Sequence, residues 1–357
     1  MPAALSELSL PELERQLASL GLKPSHAGRL LRTFYASGGE RWDDGASPRL
    51  PSALLEHFGA AWSGHAARIV SRQVAGDGTT KLLLRLADGR TVEAVLMPDF
   101  RADRAAGCIS TQVGCAMGCD FCATTRTGFE RNLTAGEIIE QFLALRREAA
   151  EQGRTLRTLV LMGMGEPMLN LDAVFPAVER IADNRVGGLG WRQITVSTVG
   201  LVPGMDALTA KGWNVHLAVS LHAPDDATRA GLLPAGKRFP IADILAAADR
   251  FQASRGRTVT IQYCLLAGVN DSPEQARQLA DVLGGRRMHV NLLRFNPTGL
   301  SLRGIAYVPA SDAVAEAFAA ELRARGVVAH FRRSRGPDIE AACGQLRRRV
   351  EGGGGPA

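Results

Sequence analysis

Hydrophobic and polar positions change their spacing twice along the chain, and each change marks a new kind of element. Over residues 1–62 the apolar side chains recur at helical intervals, with Leu30, Leu31, Phe34 and Tyr35 on one face. Ser9 with Glu12 forms a capping box, Pro11 sits in the first turn, and Gly21 is a stop signal, so a first helix is expected between them. Ser25 is expected to open a second helix, and a third short one is expected near 51–58. Residues 66–75, 79–87 and 90–97 are β-rich and separated by Asp77-Gly78 and Asp88-Gly89. Asp-Gly between strand-like runs predicts hairpins, hence a three-strand meander. From residue 108 strands and amphipathic helices alternate. Strands are predicted at 108–113, 157–162, 193–197, 215–221, 258–266 and 290–295. Helices are predicted at 134–151, behind the capping box of Thr134 and Glu137, and at 272–283, with a last helix at 311–325 and a strand at 327–332.

Alternation of this kind predicts an α/β fold, a partial parallel (β/α)6 TIM-like barrel preceded by the helical module and the small meander. The expected divisions are a helical accessory module (1–62), a meander extension (63–105), the barrel (106–332) and a C-terminal segment (333–357) ending in a disordered Gly-rich tail. In such barrels chemistry sits at the carboxyl ends of the strands.

Composition narrows the class. The 357 residues are 46% hydrophobic and 22% charged, as in ordinary folded proteins. No apolar run approaches the ~20 residues of a membrane span, and residues 1–7 lack a basic n-region and an apolar h-region. A cytoplasmic protein without a membrane partner is expected. Of six cysteines, three crowd into one loop, which is metal or redox usage and not a disulfide framework. The net charge of +6 suits a polyanionic partner without identifying one.

Those three, Cys115, Cys119 and Cys122, have the spacing C-x3-C-x2-C. Three thiolates in one short loop can ligate three irons of a [4Fe–4S] cluster and leave the fourth iron open, since a cubane takes four ligands. The alternatives are a zinc site or chance clustering. Zinc loops usually pair C-x2-C knuckles with a fourth ligand, and none lies nearby. The spacing resembles the radical S-adenosylmethionine (SAM) superfamily, in which SAM occupies the open iron. Polar residues at the other strand ends fit SAM binding: Gly165 and Glu166 after the second strand, Ser197 on the third, Ser220, Leu221 and His222 on the fourth, and Asn296 on the sixth. The glycines of Gly163-Met-Gly165 are expected to let backbone approach a ligand, and Glu166 to accept from the SAM amine.

Four motifs together resemble the RlmN/Cfr radical-SAM RNA methyltransferases. They are Cys115-Ala-Met-Gly-Cys-Asp-Phe-Cys122, Gly163-Met-Gly-Glu-Pro-Met-Leu-Asn170, Ser220-Leu-His-Ala-Pro-Asp225 and Arg335-Gly-Pro-Asp-Ile-Glu-Ala-Ala-Cys343-Gly-Gln-Leu346. The second motif and the helical module are similar to the RlmN branch, which acts on adenine C2; the Cfr branch, acting on C8, is the alternative. The resemblance implies 23S rRNA (its peptidyl-transferase region) and the adenine 3′ of the tRNA anticodon as substrates. It also implies two SAM molecules per turnover, an electron donor such as flavodoxin, and a monomer. It implies that Cys343 carries a methyl group from a first SAM, that Cys108 resolves the RNA adduct through a transient disulfide, and that Glu93 accepts a proton.

Adenine C2 is an electron-poor sp² carbon, so polar methyl transfer fails there and radical chemistry is needed. Other residues read more plainly. Cys264 lies in an apolar strand and reads as structural, and His216 as a core residue. Glu93 shares strand parity with Val95 and Met97, so it is expected either paired or with a raised pKa. Arg332, Arg333 and Arg335 stand close enough in sequence to favour a Cys343 thiolate. Lys23, His26, Arg29 and Arg32 give the helical module a basic side, and Arg347–Arg349 form a basic run at the end. Gln262 stands where the family usually has Glu.

Overall fold

In the computed structural model, which describes residues 4–46, 49–61 and 65–346, the capping signals act where the sequence puts them. The helical module has α1 (Leu10–Ser19), α2 (His26–Ala36) and α3 (Ser52–Ala61). Ser9 and Glu12 close a reciprocal capping box on α1. Ser25 caps α2 by position alone, without a side-chain bond. The module is not a separate ball: Leu13, Leu17, Leu30 and Phe34 are fully buried in the same core that fills the barrel.

The meander is β1 (Ala67–Val74), β2 (Thr80–Leu86) and β3 (Thr91–Pro98), each within a residue of its predicted span. Then come β4 (Arg104–Cys108), β5 (Gln112–Gly114), α4 (Ala123–Arg126), β6 (Phe129–Asn132), α5 (Ala135–Glu151), β7 (Thr155–Leu161) and α6 (Leu171–Ala182). The second half continues with β8 (Ile194–Thr198), α7 (Val202–Lys211), β9 (His216–Ser220), α8 (Asp226–Leu232) and α9 (Ile241–Arg255). It ends with β10 (Val259–Leu265), α10 (Pro273–Leu283), β11 (Met288–Arg294), α11 (Asp312–Ala324) and β12 (Val328–Arg332).

Among the described residues ten strands form one open sheet, ordered β1-β2-β3-β4-β7-β8-β9-β10-β11-β12. The first four pair antiparallel, and β4 through β12 pair parallel. Helical crossovers between successive parallel strands account for this order. The partial barrel is therefore as expected, with two corrections. The first barrel strand is 104–108, not 108–113: residues beyond Cys108 leave the sheet and form the separate β5–β6 ribbon. And 327–332 is no appendage, because β12 extends the sheet as a seventh parallel strand.

Beyond β12 the chain crosses the open side of the sheet as a strap, 333–346. Gly76 N–H donates to Asp338 Oδ2 (3.0 Å), and Gly336 N–H to Asp77 Oδ2 (3.3 Å), tying the strap to the β1–β2 turn. Further on, Ala123 N–H donates to Gly344 O (2.7 Å) and Thr124 Oγ1 to Leu346 O (2.8 Å), tying it to α4. The strap thus links the β12 edge to the meander across the barrel mouth. The Arg347–Arg349 run, the Gly-rich tail and the expected boundary at Trp62 lie outside the described residues. Among the described residues no helix is long and apolar enough to cross a membrane.

Candidate active site

A cavity of about 200 Å³ opens at the carboxyl ends of the parallel strands, under the strap. Cys115, Cys119 and Cys122 line it, and so do Cys108 from the end of β4 and Cys343 from the strap. The expected cofactor contacts Gly165, Glu166, Ser197, Ser220, His222 and Asn296 line it as well. Two expected site residues do not. Leu221, the first residue beyond β9, is fully buried and does not line the cavity. Glu93 is fully buried behind Val95, and its carboxylate pairs with Lys81 Nζ at 3.3 Å. Val95 stands opposite Cys108 in the antiparallel β3–β4 register, so Glu93 lies level with Ser110, past the end of β4, where Ser110 Oγ donates to its carbonyl oxygen at 2.7 Å.

The three loop cysteines are buried thiols. Burial, joined by the Cys122 thiol, pushes Cys115 up to about 12. Burial raises Cys119 well above the ordinary thiol value and raises Cys122 too; neighbouring thiols add to both. Such a set becomes thiolate when a metal supplies positive charge. Among the described residues no three His, Cys, Asp or Glu side chains converge as ligands of a single ion. A cubane spreads its thiolates over separate irons, so the donor set fits a cluster better than a zinc knuckle. Arg229, missed in the sequence, is almost fully buried, donates to Val199 O, and carries the positive charge that opposes the rise at Cys119.

Asp120, also missed, fixes the loop from outside. Tyr307 OH donates to its Oδ2 at 2.7 Å and Arg303 Nε at 3.0 Å, while Asp120 N–H donates to Leu232 O. Burial works to raise this carboxyl, but the Arg303, Tyr307 and Ser301 hydrogen bonds hold it below the usual range. Gly118 sits at φ +71°, in the left-handed region that favours glycine, where the loop turns beside Pro234.

The second-strand glycines serve packing more than ligand approach. A Cβ on Gly163 would stand 2.7 Å from Ile109 O, and one on Gly165 2.6 Å from Gln112 Cβ. They admit the segment that leaves β4. Glu166 lies just beyond, each carboxylate oxygen accepting a backbone N–H, from Met168 (3.0 Å) and Val199 (2.8 Å). Burial lifts its carboxyl to about 7 against those two bonds. His222 has φ +59°, and its Nδ1 accepts the Cys264 N–H at 2.9 Å, which leaves Nε2–H as its donor. Burial first, then the Arg229 charge, push His222 down to about 3. Gln262 is level with Ser220 across β9–β10, buried in the cavity floor, with no protein partner on Oε1. A buried acceptor of this kind costs about 1–3 kcal/mol unless a bound group donates to it. This row of polar groups in a mostly apolar pocket suits a nucleoside carrying charged groups.

Cys108 and Cys343 belong to one electrostatic pair: burial, then the Cys343 thiol, push Cys108 up to about 12, and Arg332 opposes. Arg332, Arg333 and Arg335 all line the cavity. Cys264, expected to be structural, also faces it, and its thiol is raised by burial and then by Cys343. Strand parity with Gln262 was the available signal. His216 is half-buried in β9, outside the cavity.

Residues 109–280 match the Radical SAM superfamily. The chain is 70% identical over 347 residues to the probable dual-specificity RNA methyltransferase RlmN 1 of Opitutus terrae, covering 97% of each. It is 39% identical to the dual-specificity RNA methyltransferase RlmN of Syntrophobacter fumaroxidans, covering 97% of this chain and 98% of that one. A radical SAM methyltransferase from Sphaerobacter thermophilus has the same fold, with TM-score 0.90 and 43% identity over 98% of this chain and 100% of that one.

Proposed function

The chain belongs to the RlmN family of radical-SAM RNA methyltransferases, and we propose that it methylates adenine C2 in the peptidyl-transferase region of 23S rRNA and at the adenine 3′ of the tRNA anticodon. As a radical-SAM enzyme it uses a [4Fe–4S] cluster and SAM; two SAM molecules per turnover belong to the proposal. The observation that carries it is one cavity lined by the C-x3-C-x2-C cysteines together with Cys108 and Cys343. A non-catalytic metal-stabilised RNA binder has no use for that pair.

Cys115, Cys119 and Cys122 would hold the cluster. Gly165, Glu166, Ser197, Ser220, His222 and Asn296 would hold SAM. When bound, these groups supply one-electron chemistry able to take a hydrogen from a methyl group. Cys343 provides that methyl as a thioether, after its sulfur acts as nucleophile. Once the methylene carbon is joined to adenine C2 the adduct holds an unpaired electron, so restoring aromaticity removes the C2 hydrogen as a proton together with one electron, which the bound cluster would take back. Glu93 is the proposed acceptor of the proton; Lys81, its ion-pair partner, also reaches Glu340 O (3.5 Å) on the strap that carries Cys343. Cys108 as thiolate then attacks Cys343 Sγ. The S–S bond forms, the C–S bond breaks with its electron pair on the methylene, and that carbon takes a proton to become methyl. A reductant restores both thiols.

The target base must leave its stack to enter the cavity. The helical module is the proposed RNA-positioning element. Its basic side is smaller than the sequence suggests, because Arg29 is paired with Asp44 and Asp43. Nucleoside mass spectrometry of rRNA and tRNA from a deletion strain tests the reading. Loss of 2-methyladenosine, restored by wild-type protein but not by Cys343→Ala, is expected. Loss of 8-methyladenosine instead assigns C8 chemistry and overturns it.

A further inference from the structure

Between β11 and α11, residues 299–308 form a hairpin in which Leu300 bridges Ala306 and Ser301 N–H donates to Ile305 O at 2.8 Å. Its two faces are inverted for a surface hairpin, where polar side chains ordinarily face water. Ser301 and Tyr307 turn inward at 8% and 9% exposure, while Leu300 (62%), Leu302 (58%), Ile305 (40%) and Val308 (58%) face solvent. The inward face grips the loop of the cluster cysteines. Besides the Tyr307 and Arg303 bonds to Asp120, Thr298 Oγ1 donates to Phe121 O at 3.3 Å. The hairpin is thus a tied cover over residues 120–121, with an aliphatic ridge outside.

The ridge has a basic rim. The Arg303 side chain, 51% exposed, is paired with Asp120, so the rim's charge comes mainly from the neighbouring turn. Lys237 and Arg238 are exposed on the turn that begins at Pro234, which packs on Gly118 of the same loop. Contiguous exposed apolar patches rimmed by polar residues mark interaction surfaces. RNA offers phosphates and base faces, and single strands are gripped by basic grooves with aromatic platforms; four aliphatic side chains supply neither. What the chemistry needs at this loop is an electron from outside, since the cavity side is taken by SAM and the RNA base.

We propose that the 299–308 hairpin, with Lys237 and Arg238 at its rim, is the docking surface for a small acidic one-electron donor protein. The donor loses one electron, the cluster gains it, and no bond forms between the two proteins. The inference rests on the radical-SAM chemistry of this chain and adds where its electron enters.

The test uses full-length, cluster-reconstituted protein with reduced flavodoxin as the probe, alongside dithionite, a small reductant that needs no docking surface. Leu302→Glu/Val308→Glu should weaken flavodoxin binding by titration calorimetry at least ~tenfold, about 1.4 kcal/mol. It should slow flavodoxin-driven bleaching of the cluster absorbance correspondingly, and leave dithionite-driven SAM cleavage and RNA affinity unchanged. Lys237→Glu/Arg238→Glu, which leaves the hairpin intact, should slow flavodoxin-driven reduction and weaken its dependence on salt; it carries the test if the first variant loses iron. Unchanged flavodoxin binding and reduction in both variants overturns the proposal. So does lowered RNA affinity with flavodoxin binding intact, which would make the ridge an RNA surface. Absence of dithionite-driven SAM cleavage in the wild type would overturn the chemistry itself, and the docking proposal with it.

Discussion

Cys108 and Cys343 reach the cavity from opposite ends of the chain, one at the end of a barrel strand and the other on a strap. Removing the first isolates its role. Cys108→Ala should accumulate Cys343-linked RNA, visible as a covalent adduct on denaturing gels; free methylated RNA at the normal rate would remove Cys108 from the chemistry. Glu93→Gln keeps shape and removes the carboxylate. Product formation should slow by ~10²–10⁴-fold, the usual loss for a general base, while Cys343 methylation by peptide mass spectrometry persists. The side-chain parity that puts Glu93, Val95 and Met97 on one face was readable in sequence. Its pairing with Lys81 was not, because the partner lies on another strand. His222 gives a pH test. Its folded pKa of about 3 lies below the ordinary 6.5, so between these values the unfolded chain binds the extra proton. The stability tied to neutral His222 is complete above pH 6.5 and is lost as pH falls toward 3. Urea midpoints of cluster-free protein should drop across that window, and His222→Gln should flatten the drop.

At the scale of elements, local signals were reliable where the stabilising contact is local. The capping boxes at Ser9 and Thr134 and the Asp-Gly turns all act within a few residues. Residues 108–113 read as one continuous strand pattern, yet the sheet ends at Cys108. Whether they stay in the sheet depends on the glycine-rich turn after β7 packing against them. Asp120 belongs to the same scale: a carboxylate between Cys119 and Cys122 whose partners lie about 180 residues away. Hydrogen bonds to charged groups contribute ~1.5–3 kcal/mol. Asp120→Asn should therefore lower the melting temperature and the iron retained per chain after gel filtration, with SAM binding weakened in parallel. Full iron retention would show that the loop needs no outside clamp.

Over the whole molecule the sheet is open, and the strap turns an open sheet into a covered cavity. Asp77 and Asp338 hold its meander end. Asp77→Ala/Asp338→Ala should free Cys343, seen as faster alkylation by iodoacetamide, and reduce methyl transfer to RNA more than SAM cleavage. The helical module cannot simply be cut away to test its RNA role, because Ser6 donates to Glu140 Oε1 (2.7 Å) and its leucines share the barrel core. Lys23→Glu/Arg32→Glu is the cleaner change. It should weaken RNA binding and lower the salt slope by about one to two units; unchanged affinity would move the RNA surface elsewhere.

The sequence by itself determined the alternation that builds the barrel, the C-x3-C-x2-C spacing of the three loop cysteines, and the family motif around Cys343. Each is written in spacing over short stretches, and spacing survives in one dimension. The tertiary structure alone decided that Cys264 and Gln262 face the cavity, that Leu221 and Glu93 do not, that Asp120 is clamped by Arg303 and Tyr307, and that aliphatic side chains crown that clamp. Those outcomes depend on which strand neighbours which and on where a loop is pressed. They are settled by burial and hydrogen bonding between residues far apart in the chain, which no local pattern encodes.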